Sequence, residues 1–108
     1  MNTQDTADRF LEALLNRDFD AMGTHLHPRV RLRALQPGGA ILRVGANPVA
    51  ARWADWFGGW DRLTAVDYAA SPVASRLRMA YHLEVTADTD RREVAHQLLV
   101  DVVDERIA

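Results

Sequence analysis

A chain of 108 residues is the length of one domain and can bury a core without disulfide or metal staples. Its 48% hydrophobic and 26% charged residues are ordinary for a globular protein, and a net charge of −2 lacks the basic surplus of nucleic-acid binders. The absence of cysteine excludes disulfides, thiolate catalysis and cysteine-ligated zinc.

Met1-Asn2-Thr3-Gln4-Asp5 has neither a basic start nor an apolar run, so no signal peptide is read there. No apolar stretch approaches the roughly 18 residues of a membrane span. The expectation is a cytoplasmic protein with no nucleic-acid or membrane partner.

Along the chain, Ala7, Phe10, Leu11, Leu14 and Leu15 recur at three and four, which predicts a helix over Thr6–Asn16 with Thr3 or Thr6 as its cap. A turn at Asn16-Arg17-Asp18 leads to a shorter helix carrying Phe19, Met22 and Leu26, stopped by Pro28. Val30–Leu35 alternates as a strand. Gln36-Pro37-Gly38-Gly39 is a turn, and Ile41–Val44 a brief strand. A third helix is predicted over Asn47–Phe57, with Asn47 as N-cap, Pro48 at its first position and Gly58-Gly59 at its end.

The rest reads as sheet. Leu63–Ala70 is a strand broken by Ser71-Pro72. Arg76–Thr86 alternates Leu77, Met79, Tyr81, Leu83 and Val85 against polar positions. After a polar turn over Ala87–Arg91, Glu93–Val103 puts Val94, His96, Leu98, Val100 and Val102 on one face. Asp104-Glu105 fits a two-residue hairpin turn, and Arg106-Ile107-Ala108 begins a fourth strand. Helices first and strands last, joined by tight turns, predict an α+β fold with a mostly antiparallel sheet.

Four segments together resemble the SnoaL-like, nuclear-transport-factor-2-like (NTF2-like) proteins. Phe10 to Met22 looks like their opening helix pair, and His27-Pro28-Arg29-Val30-Arg31-Leu32 like their first strand. Gly45 with the Trp-rich helix fits their third helix, and Val100 to Ile107 looks like their final hairpin. The resemblance covers nearly the whole chain and rests on the order and spacing of these segments. It implies a cone: a strongly bent sheet closed by helices around a pocket, in one domain over residues 1–108. Ketosteroid isomerases, limonene epoxide hydrolases, polyketide cyclases and binding domains share it, so the fold alone does not fix function.

The sequence departs from that pattern in two ways. Phe10 stands where the isomerases carry a helix tyrosine, Ala34 or a neighbour where their general base stands, and Leu98 near their oxyanion-stabilising acid. Without base and donor that enolisation cannot run. The Asp-Arg-Asp arrangement of an epoxide hydrolase is not evident either. The chain also stops where that pattern continues into a further strand, so the expectation is an exposed sheet edge, either covered by a partner chain or left in a shortened version of the fold with compromised closure.

Residues for a different chemistry remain. His96, on an apolar face, is the candidate acid/base, with Tyr81 on the neighbouring strand as its polar assistant. Each also fits a plain core role, with its polar atoms paired. Trp53, Tyr68, Met79 and Leu98 are the expected ligand-binding wall, Trp53 drawn from a cluster with Trp56, Phe57 and Trp60. His25 and His27, beside Pro28, make no metal site, since no third ligand follows at a recognisable spacing. The expected function is therefore a pocket for a hydrophobic small molecule, as a cofactor-free isomerase-, cyclase- or lyase-like enzyme. The alternative is a non-catalytic binding or dimerisation module, with Arg78, His82 and Glu84 on the dimer surface. A homodimer fits both.

Overall fold

The computed structural model describes residues 3–36 and 38–108. Helix α1 spans Thr3–Leu15 and helix α2 Phe19–Thr24. Thr6 is not a cap. It lies one turn inside α1, buried, and its hydroxyl donates to the Glu105 carbonyl at 3.4 Å. Asp18 caps α2 by accepting the Ala21 amide at 3.0 Å, so the short helix starts on a satisfied end.

Strands β1 (Arg31–Gln36) and β2 (Gly39–Val44) form an antiparallel hairpin in which Gln36 faces Gly39. Pro37 of the expected turn lies outside the described residues. Helix α3 covers Ala46–Phe57, one residue earlier than the pattern placed it. Gly45, not Asn47, is its N-cap, at φ +101°, where a side chain would be strained. The Gly45 amide closes onto Val30 while its carbonyl accepts from Val49, fixing the corner between β2 and α3. Pro48 is thus third in the helix, where its missing N–H is still one of the unpaired first-turn donors.

Strands β3 (Arg62–Val73), β4 (Arg76–Ala87) and β5 (Asp90–Val100) form an antiparallel sheet in that order. Contrary to the expectation from sequence, Ser71-Pro72 does not break β3. The strand sits at the sheet edge, where a proline without an N–H is tolerated. A bulge between Ala65 and Asp67 leaves Val66 outside the pairing and 54% exposed. The last predicted strand is interrupted at Asp101, giving β5, then β6 (Val102–Val103) and β7 (Arg106–Ile107). Asp104 and Glu105 both take positive φ, 53° and 61°, as a two-residue hairpin turn demands.

Central strand β4 supplies the core. Leu77, Met79, Tyr81, Leu83 and Val85 alternate inward against Phe10 and Leu14 of α1 and Trp53 and Phe57 of α3. Full burial of each such apolar side chain stabilises by about 2 kcal/mol. At the chain's other end, Ile107 donates to the His25 carbonyl at 2.8 Å and accepts from the His27 amide at 2.7 Å. This parallel bridge at Leu26 ties β7 to the segment after α2, not to β5. The fold is the NTF2-like α+β cone, with a short last strand. Among the described residues no helix is long and apolar enough to cross a membrane.

Candidate functional site

The register sets the site. Tyr68, Tyr81 and His96 face one another across β3, β4 and β5, on the side covered by helices. From α3, Trp53 reaches the same place, and its indole Nε1–H donates to the Tyr81 hydroxyl at 3.0 Å. That hydroxyl lies 2.7 Å from His96 Nδ1.

The proton positions follow from valence. An indole nitrogen only donates, so the Tyr81 oxygen accepts there. Tyr81 has one proton, and donating it to His96 Nδ1 is the arrangement that leaves this buried hydroxyl proton with a partner. Burial lowers the pKa of His96 below the usual histidine value, which holds it neutral at pH 7. A neutral imidazole that accepts at Nδ1 carries its proton at Nε2. No described residue bonds to Nε2, and it is not sealed away from contact. Burial drives the pKa of Tyr81 well above the phenol range, with the Trp53 bond opposing only in part, so the phenol stays protonated.

His96 is framed by rings. Trp56, Phe57 and Tyr81 meet it edge-on at centroid distances of 5.4, 5.5 and 5.3 Å. The Arg52 guanidinium lies 5.4 Å above the Trp56 ring, a cation–π contact that braces the outer wall. His96 opens onto a cavity of about 820 Å³, within the range of small-molecule sites. Phe10, Trp53 and Trp56 line it from the helices, Leu32 and Ala34 from β1, and Leu98 from β5. No Asp or Glu is among its lining residues.

The sequence-predicted residues therefore divide. His96, Trp53 and Leu98 line the cavity. Tyr81 is 2% exposed and reaches it through His96. Tyr68 and Met79 do not line it. Tyr68 hydrogen-bonds Asp8 of α1 at 2.8 Å, and Met79 is fully buried core beneath the helices. Strand parity gave both an inward direction but not which helix would cover them. The wall from β1 and the role of Trp56 were not anticipated. The alternation of Leu32 and Ala34 could have signalled the first. The three positions matched to isomerase machinery, Phe10, Ala34 and Leu98, all face this cavity and are all apolar. Among the described residues no cluster of three metal-ligating side chains exists.

No family model and no curated protein sequence matches the chain. Solved structures do. A candidate polyketide cyclase from Xanthomonas campestris pv. campestris is similar at TM-score 0.78 and 17% identity, over 97% of this chain and 84% of that one. An LEH-like epoxide hydrolase of M. tuberculosis is similar at TM-score 0.70 and 17% identity, over 97% and 76%. An NTF2-like protein from Cytophaga hutchinsonii is similar at TM-score 0.70 and 16% identity, over 99% and 84%. At these identities the likeness establishes the fold: an NTF2-like, SnoaL-like pocket fold.

Proposed function

We propose that this protein takes an apolar small molecule into the cavity and holds one acceptor oxygen of it, a carbonyl, lactone or epoxide oxygen, on His96 Nε2–H. The observation that carries the reading is the Trp53–Tyr81–His96 hydrogen-bond chain, which ends at a cavity-lining histidine among mostly apolar walls, with Arg31, Arg33 and Gln97 also in the lining. Where a reaction follows, it is cyclase- or isomerase-like and cofactor-free, and negative charge develops on that oxygen. His96 then serves as the oxyanion donor. General-base duty, the other use of a pocket histidine, is disfavoured because Nδ1 is already occupied by the Tyr81 proton.

The second reading is binding without turnover, favoured by the absence of Asp and Glu side chains from the lining. In either case we infer a cytoplasmic homodimer. It would pair through the outer sheet face, where Ala69, Ala80 and Gln97 lie in one row and Arg78 and Leu99 in the next.

The test is a thermal-shift series pairing apolar ketones, lactones and epoxides with hydrocarbons of the same skeleton, on wild type and His96→Ala. A ligand at one hundred times its dissociation constant adds about 2.7 kcal/mol, several degrees in a domain this size. Selective shifts for the oxygenated compounds, lost in His96→Ala, are expected. Equal shifts for the hydrocarbons would remove His96 from the reading.

A further inference from the structure

Between Asp20 and Asp55 the sequence holds five arginines, two histidines and no carboxylate, an asymmetry that the overall charge of −2 averages away. Four of those arginines, Arg29, Arg31, Arg33 and Arg43, lie in or beside the β1–β2 hairpin. All four are exposed, and none forms an ion pair with a described residue. Strand alternation gives the hairpin two faces. Leu32 and Ala34 line the cavity from one. The other sets Arg31 opposite Val44, Arg33 opposite Leu42, and Leu35 opposite Ala40. Leu35 is 89% exposed, Val44 55% and Leu42 49%, so apolar side chains gather here in rows with arginine and are not scattered singly. A Cβ at Gly38 or Gly39 would meet no atom within 4 Å, so the tip stands clear of the rest of the described chain. A strand added at the open edge of β1 would lie in the plane of the sheet and leave this face as it is.

We propose that the hairpin docks on an anionic lipid bilayer, its tip leading and this face against the surface. The order of side chains carries the assignment. Leu35 and Ala40 come first, and Arg33 follows about 7 Å behind. A bilayer presents its acyl boundary and its phosphates over the same depth. Aliphatic side chains suit the first layer, and guanidinium forks the second. A single-stranded nucleic acid would call for aromatic side chains to stack its bases, and Arg31–Val44 has none. A second copy pairing this face with itself would bring Arg31 and Arg33 of both protomers together, like charge against like. The expectation of no membrane partner rested on the lack of a spanning segment, and lying on a surface needs none. Docking also sets the cavity wall of β1 beside the bilayer, but the inference stands without a ligand in the cavity.

The experiment sediments the protein with vesicles of phosphatidylcholine alone and of phosphatidylcholine with phosphatidylserine. The sequence has no cysteine, so Leu35→Cys carries a single nitrobenzoxadiazole label, and Val66→Cys, exposed on β3, is its control. Binding to the serine-containing vesicles is expected, weakened by salt, with a blue shift of the label on Leu35→Cys and none on Val66→Cys. Arg31→Gln with Arg33→Gln, both at exposed positions, should weaken binding about thirtyfold and leave the melting temperature unchanged. His96→Ala should bind vesicles as wild type does, so this inference and the proposed function fail separately. No binding, equal binding to both vesicle types, or a Leu35→Cys label that stays in water would overturn the proposal. So would a preference for a single-stranded oligonucleotide over the vesicles, or a label that shifts without vesicles as protein concentration rises, which would assign the face to nucleic acid or to a second copy.

Discussion

Tyr81 and His96 stand directly opposite each other on β4 and β5, and the phenol oxygen meets His96 Nδ1 at 2.7 Å. This cross-strand pair is set by sheet register, so neither side chain depends on a flexible loop for its place. The Trp53 indole occupies the oxygen from the other side, which favours donation of the Tyr81 proton to His96 Nδ1. That arrangement gives the hydroxyl one orientation and the histidine one of its two neutral tautomers.

Tyr81→Phe should therefore do two things. It strands a buried indole N–H and a ring nitrogen, which costs roughly 2–4 kcal/mol, and urea unfolding will read the loss. It also frees the His96 tautomer. In wild type, 15N chemical shifts of the His96 ring should report a proton on Nε2 alone; in Tyr81→Phe they should report a mixture. A wild-type ring protonated at Nδ1 would reverse the assigned bond direction and the donor role with it.

The pH dependence follows from burial. His96 has a lowered folded-state pKa, so below about 6.5 the unfolded chain binds more protons than the folded one. Stability contributed by the neutral histidine is complete above pH 6.5 and is lost as pH falls from there through the folded-state value. His25 shifts the same way, through burial first and Arg9 second, with Glu12 opposing. Unfolding free energies measured from pH 8 to pH 5 should thus decline in wild type and decline less steeply in His96→Gln, with His25 leaving a residual slope. An unchanged slope in His96→Gln would mean that His96 titrates normally in the fold.

Alternation in Arg76–Thr86 and Glu93–Val103 was enough to place His96 and Tyr81 on one face, because a strand's side-chain period is two whatever surrounds it. The same logic could not separate wall from core. Met79 and Leu98 both point inward, but whether a side chain meets α1 or open space depends on where the helices lie, which no strand pattern encodes. The bulge at Val66 was invisible for a related reason: one extra residue changes parity without any compositional mark. Ser71-Pro72 misled because a proline says where a ladder bond is missing, not whether the strand stops. The start of α3 was misplaced because Asn47-Pro48 gives a strong local signal, whereas Gly45 is selected by its tertiary bond to Val30.

Leu98→Trp tests the cavity independently of His96. Leu98 is half-buried on its wall, so a larger ring can enter the open volume without displacing core atoms. Apo stability should change by no more than about 1.5 kcal/mol, the range of tolerated apolar swaps. Every ligand-induced thermal shift found in wild type should disappear. Retained shifts would place the ligand elsewhere on the protein.

The closing hairpin stores strain that can be relieved. Asp104 and Glu105 both sit at positive φ, a region that asparagine and glycine occupy far more readily than a glutamate. Both side chains are exposed, and the turn's geometry is held by the two pairs below it, Val103 with Arg106 and Val102 with Ile107. Replacing Asp104 alone by Gly leaves that register unchanged and removes one left-handed penalty, of order 1 kcal/mol. Glycine's greater freedom in the unfolded chain gives part of this back. Glu105 is kept, and its carbonyl still accepts from the Thr6 hydroxyl. Asp104→Gly should therefore gain about 0.5 kcal/mol by urea denaturation. Slower amide exchange at Ile107 should follow, since its bonds to His25 and His27 anchor β7. A stability loss would mean that the Asp104 side chain itself holds the hairpin in place.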